Sequence, residues 1–131
     1  METIAASKAM VVDDSRAMRM ILRKILGELG YEASEAGNGQ EALQRLQQET
    51  TLPALMLVDW NMPVMCGLDL VKALRADARY SPVTVIMVTT ETEIQHMSQA
   101  LEAGANEYVM KPFTKDVIAE KLRTMSLVPS E

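Results

Sequence analysis

Cysteine is almost absent. The single Cys66 in a chain of 131 residues cannot close an internal disulfide, and nothing in the sequence calls for an oxidising compartment. No apolar run approaches the roughly 20 residues of a membrane-spanning helix, and the opening Met1-Glu2-Thr3-Ile4-Ala5-Ala6-Ser7 lacks the basic stretch of a signal peptide. The expected location is therefore the cytoplasm, with no membrane partner. Positive charge is also short: 13 Lys and Arg stand against 18 Asp and Glu, for a net charge of -5. Without excess cations to displace counterions, direct nucleic-acid binding is disfavoured. One histidine and one cysteine cannot build a His/Cys metal cluster. There is no Gly-x-x-x-x-Gly-Lys run for a nucleotide. No repeat, low-complexity tract or Pro/Gly/Ser linker divides the chain, so residues 1–131 read as one domain with one core.

What is present is a strict alternation. Residues 8–13, 54–59 and 83–89 are short, almost continuously apolar runs, the pattern of parallel strands covered on both faces. Residues 31–36 and 106–110 are more polar and suit the sheet edges. Between them lie helical stripes. The clearest is Met18, Ile21, Leu22, Ile25, Leu26 and Leu29, with Ser15 as its cap. Weaker stripes follow at Ala42, Leu43, Leu46; Leu70, Val71, Leu74; Ile94, Met97, Leu101; and Val117, Ile118, Leu122, Met125. Five strands alternating with five helices predict an α/β fold: a five-stranded parallel sheet of order 2-1-3-4-5 with helices on both faces, a flavodoxin-like arrangement.

Parallel strands point one way, so their C-terminal ends gather along one rim, where open α/β sheets bind ligands. The first strand ends in Asp13 and Asp14, the third in Asp59, the fourth in Thr89 and Thr90, and the fifth in Lys111 before Pro112. Three carboxylates brought together repel one another unless they share a cation. A hard divalent ion with oxygen ligands, Mg²⁺, suits acids without a His or Cys cluster. His96, in the fourth helical stripe, is expected in solvent. With the ion present, Asp59 on the central strand is the best nucleophile toward phosphorus. Lys111 would pair with one phosphoryl oxygen and the Thr89 hydroxyl with another, leaving Asp13 and Asp14 to hold the ion. Each of these residues alone reads more simply: a strand end with a helix cap, a solvated lysine, a threonine in a strand. Only their shared rim favours chemistry.

At these residues the chain resembles the response-regulator receiver family, and within it the single-domain chemotaxis regulators. The matching segments are Val11-Val12-Asp13-Asp14-Ser15, Asp59-Trp60-Asn61-Met62-Pro63, Met87-Val88-Thr89 and Gly104-Ala105-Asn106-Glu107-Tyr108-Val109-Met110-Lys111-Pro112-Phe113. They span residues 8–126. The resemblance implies that Asp59 is phosphorylated by a histidine kinase's phosphohistidine. It implies that Asp14, Asp59 and the Asn61 carbonyl ligate Mg²⁺, with Asp13 acting through water. It further implies a switch of Thr89 and Tyr108 that reshapes the face of helix 4, strand 5 and helix 5 for a downstream protein, and a cis Lys111-Pro112 bond. The protein would catalyse its own phosphorylation and dephosphorylation, act as a monomer and answer to a phosphatase, with a flagellar motor as one possible target.

Some positions depart from the family pattern. Cys66 stands where an acidic or polar residue is common, and Thr90 where a smaller alanine is found. Asn61 and Glu91 lie where members tune the lifetime of the phosphate. Met10, Met87, Met110 and Met125 are expected to fill core gaps, and Trp60 to be exposed. Three other roles compete. A receiver excised from a larger regulator, or a phosphorelay intermediate, keeps the chemistry, although few residues remain after Pro129 for an output module. A phosphohydrolase would need an acid where Asn61 stands. A flavin carrier would need a Ser/Thr/Gly-rich loop where the chain has Asp13-Asp14-Ser15-Arg16.

Overall fold

The computed structural model describes residues 7–127, and within them leaves the side chains of Glu91 and Thr92 undescribed. The readings made at Met1, at Pro129 and at the Glu91 side chain lie outside the described residues. The elements are β1 (Ser7–Val12), α1 (Arg16–Glu28), β2 (Tyr31–Ala36), α2 (Gly39–Gln48), β3 (Leu55–Asp59), α3 (Gly67–Arg75), β4 (Thr84–Thr89), α4 (Met97–Ala103), β5 (Glu107–Met110) and α5 (Lys115–Thr124). Short 3₁₀ turns at Ala78–Tyr80 and Glu91–His96 precede β4 and α4. The sheet is parallel throughout, in the order β2-β1-β3-β4-β5, as the alternation predicts.

Period-two alternation along each strand divides the core into two layers. Met10 and Val12 of β1, Met56 and Val58 of β3, and Val85 and Met87 of β4 face α2, α3 and α4. Their alternates Ala9, Val11, Leu55, Leu57, Ile86 and Val88 face α1 and α5. A continuous apolar run is what such double coverage requires. The two edge strands have fewer buried positions, and β5 is only four residues long.

Helix starts follow local chemistry. The Ser15 hydroxyl accepts from Met18 N, the Asn38 side chain from Glu41 N and the Thr114 hydroxyl from Val117 N, each meeting one of the amides that a first helical turn leaves unpaired. Arg75 ties α3 to the far edge. Its guanidinium donates to the carbonyls of Gly104, Tyr80 and Val83 and to the Asn106 side chain.

Several expectations need correction. Ile21, Leu101 and Val117 sit on periodic stripes yet are exposed, because each lies at the margin of its stripe while a neighbour, Leu22, Ala100 or Ile118, takes the core position. Met10 and Met87 fill the core, but Met110, at the end of an edge strand, is 38% exposed. His96 is not free in solvent. It ends the 3₁₀ turn before α4 and stacks on Trp60, which is itself half-buried against the α3 and α4 layer.

Candidate functional site

Register determines which residues meet. Val12 pairs with Val58, so Asp13, the first residue past β1, arrives beside Asp59, the last residue of β3. On the other side Asp59 pairs with Val88, and Thr89 pairs with Met110, which sets Lys111 one step beyond. Lys111 N donates to Thr89 O at 2.6 Å and Asp13 N to Ala36 O at 3.1 Å, carrying the sheet bonding past the strand ends. The β1–α1 turn is held by Arg19, whose guanidinium donates to Asp13 O at 2.7 Å and pairs with Glu35 at 2.6 Å. After β3 the loop turns tightly: Gly67 N donates to Trp60 O at 2.9 Å. A Cβ on Gly67 would fall 2.4 Å from Asp59 O, so only glycine permits this approach. The Lys111-Pro112 bond is cis.

Asp13 and Asp59 are 1% and 7% exposed, and Thr89 is fully buried. The Lys111 ammonium lies 3.2 Å from Asp59 Oδ1 and 3.9 Å from Asp13 Oδ2. One carboxylate oxygen from each of Asp13, Asp14 and Asp59 lies within 4.8 Å of the other two. Asp14 itself is exposed, so the cluster opens to water on one side. Burial is the chief reason the Asp59 carboxyl is pushed up to about 6. The Asp13 charge adds to the push, Lys111 opposes it, and Glu93 contributes upward. Asp13 is raised too, again chiefly by burial and against the Ser15 N–H and Lys111. One ammonium does not balance these acids.

Asp13 Oδ1 accepts from Ser15 N at 2.8 Å, while Asp13 Oδ2 is buried with no hydrogen-bond partner among the described residues. An ionised oxygen left so is costly unless a cation is at hand. The donor set, hard carboxylate oxygens without His or Cys, fits Mg²⁺ better than a softer metal. Asn61 sits two residues past Asp59 in the loop and is exposed.

Thr90 and Tyr108 are half-buried. The Tyr108 ring packs against the α3 and α4 layer, with the Lys121 ammonium 5.4 Å from its centroid. Two features were not singled out from sequence. The stacking of Trp60 on His96 has no local signal. The other is Glu93, which accepts from Thr90 N at 3.2 Å and lies 3.5 Å from the Thr89 hydroxyl; the pattern Thr90-x-x-Glu93 of a helix start was there to be read.

The model of the response regulator receiver domain matches residues 9–123. The chain belongs to this family. As a receiver it is 46% identical over 119 residues to the chemotaxis protein CheY1 of Helicobacter pylori, covering 90% of this chain and 95% of the relative. It is similar in structure to the chemotaxis protein CheY4 of Vibrio cholerae, with a TM-score of 0.83, 33% identity, and coverage of 92% and 98% of the two chains. A receiver domain of a sensor histidine kinase from Pseudomonas aeruginosa shares the fold at 23% identity and a TM-score of 0.80, covering 92% and 97%. That structure holds a magnesium ion in its active-site cleft. This receiver is thus a two-component response regulator with relatives in chemotaxis.

Proposed function

We propose that this receiver is a binding switch driven by phosphorylation of Asp59, in a chemotaxis-type pathway. The observation that carries the proposal is Asp59 itself, buried at the centre of the rim with Lys111 at 3.2 Å and a neighbouring acid oxygen, Asp13 Oδ2, with no hydrogen-bond partner among the described residues. An Asp59 oxygen attacks phosphorus as the bond from phosphorus to the donor's imidazole nitrogen breaks. The product is an aspartyl-phosphate, and the imidazole leaves. Lys111 holds one phosphoryl oxygen by a charge-assisted bond, and the Thr89 hydroxyl donates to another. Asp13, Asp14, Asp59 and Asn61 would hold Mg²⁺, which when bound offsets the charge gathered on the phosphoryl oxygens. Loss of the phosphate requires water to attack the same phosphorus as its bond to the Asp59 oxygen breaks, which frees the carboxylate and releases inorganic phosphate.

Thr89 and Tyr108 form the switch. Thr89 pairs with Met110 across the sheet, and Met87 with Tyr108, so a shift of the Thr89 hydroxyl toward Asp59 is felt along β5. The face fed by this switch carries the exposed apolar side chains Leu101 of α4, Met110 of β5 and Val117 of α5, a surface suited to a protein partner. The donor is a histidine kinase in the cytoplasm, and the receiver works as a monomer. Incubation with Mg²⁺ and acetyl phosphate is expected to add one base-labile phosphate by intact mass, and Asp59→Asn to take up none. Equal labelling of the two proteins would remove Asp59 from its role.

A further inference from the structure

The turn from β4 into α4 holds a carboxylate that the chemistry above does not use. Glu93 is half-buried. Its Oε1 accepts from Thr90 N at 3.2 Å and lies 3.5 Å from Thr89 Oγ1, whose other contact is Thr90 O at 3.3 Å. Thr89 has one hydroxyl proton. In this arrangement the acceptors around it are the Glu93 carboxylate and a backbone carbonyl of the same turn, whereas phosphorylation requires the proton to be turned toward Asp59. The negative charge also counts. Glu93 is close enough to add to the upward push on the Asp59 carboxyl, so it opposes any further negative charge at that position, as an incoming phosphoryl group would bring.

We propose that Glu93 is a positioning residue acting through Thr89: it holds the hydroxyl in the resting direction and sets a like charge against the phosphoryl group, so that charging of Asp59 is slowed and the resting state favoured. The inference rests on phosphorylation at Asp59. A purely structural role is the competing account, since the bond to Thr90 N is half of a helix-start capping box. The two differ in one respect. An amide oxygen can accept from Thr90 N as well as a carboxylate can, but it carries no charge.

The initial rate of phosphorylation by acetyl phosphate with Mg²⁺ is measured by intact mass for the parent, Glu93→Gln, Glu93→Ala and Asp59→Asn, at low salt and again near 0.5 M salt. Glu93→Gln and Glu93→Ala are both expected to be charged roughly three- to tenfold faster than the parent at low salt. That advantage should shrink at high salt, where charges are screened. Melting temperatures accompany the rates, and Glu93→Gln should melt with the parent. A rate for Glu93→Gln equal to the parent's, a gain confined to Glu93→Ala, or a gain indifferent to salt would each overturn the inference while leaving Asp59 in its role, provided Asp59→Asn remains unlabelled. Labelling of Asp59→Asn equal to the parent's would overturn both.

Discussion

The Trp60 indole stacks on the His96 imidazole, with ring centroids 5.6 Å apart and planes 6° from parallel. Trp60 follows Asp59 in the chain, and His96 leads directly into α4. The stack therefore ties the loop beside the acidic pocket to the helix that borders the proposed partner face.

Because Trp60 is the only tryptophan, this contact can be read by fluorescence. His96→Ala is expected to uncover the indole, moving its emission to longer wavelength and making it more accessible to acrylamide, while His96→Phe keeps both near the parent values. Emission unchanged in His96→Ala would show that the ring stack does not shield Trp60.

Burial of Asp59 gives stability a pH dependence in metal-free buffer. Its carboxyl is raised from 3.8 to about 6 in the folded protein. The contribution of this group is therefore fully present below pH 4 and is lost as the pH rises through about 6. Asp59→Asn has no proton to lose. It is expected to be more stable than the parent by roughly 1–3 kcal/mol at pH 7.5, with the difference shrinking toward pH 4. Urea denaturation with a chelator at both pH values measures this, and a constant difference would contradict it.

Asp13 predicts a reversal of sign with metal. Without Mg²⁺, Asp13→Asn removes one of two crowded buried carboxylates and is expected to raise the melting temperature. With Mg²⁺ the parent should gain stability, by about 2.7 kcal/mol when the ion is at 100 times its dissociation constant, and Asp13→Asn and Asp14→Ala should gain much less. Thermal melts with Mg²⁺ and with a chelator separate the cases. A parent indifferent to millimolar Mg²⁺ would remove the metal assignment.

Val64, in the loop after Asp59, has φ of +68° and is 76% exposed. A β-branched residue is strained there and gains no burial in return. Val64→Gly and Val64→Asn are expected to stabilise the fold by about 1 kcal/mol. Denaturant midpoints test this, and a loss of stability in both variants would mean that Val64 makes contacts its exposure does not suggest.

Much of the fold was legible because its signals are local. Buried runs at β1, β3 and β4, polar runs at β2 and β5, and Ser15 before an apolar stripe each depend on residues within one turn or one strand. The stripes of α4 and α5 were less decisive. Leu101 and Val117 keep the helical period, but whether a marginal stripe position is covered depends on what the rest of the chain places beside it. Met110 shows the same limit at an edge strand. At the site, Asp13, Asp59 and Lys111 could be brought together from strand direction alone, whereas Glu93 required knowing that the turn after β4 folds its carboxylate back over Thr89.

Sequence alone determined the alternation of strands and helices and, through it, the rim. Co-directed strands converge at their C-terminal ends however the helices pack against them, so Asp13, Asp59, Thr89 and Lys111 had nowhere else to meet. Only the tertiary structure decided that Asp13 Oδ2 has no hydrogen-bond partner among the described residues, that Trp60 lies on His96 and that Glu93 faces Thr89. The first two depend on packing between segments far apart in the chain, which no local pattern of residues encodes; the third depends on a side-chain rotamer, since Thr90-x-x-Glu93 marks a helix start but not a contact with Thr89.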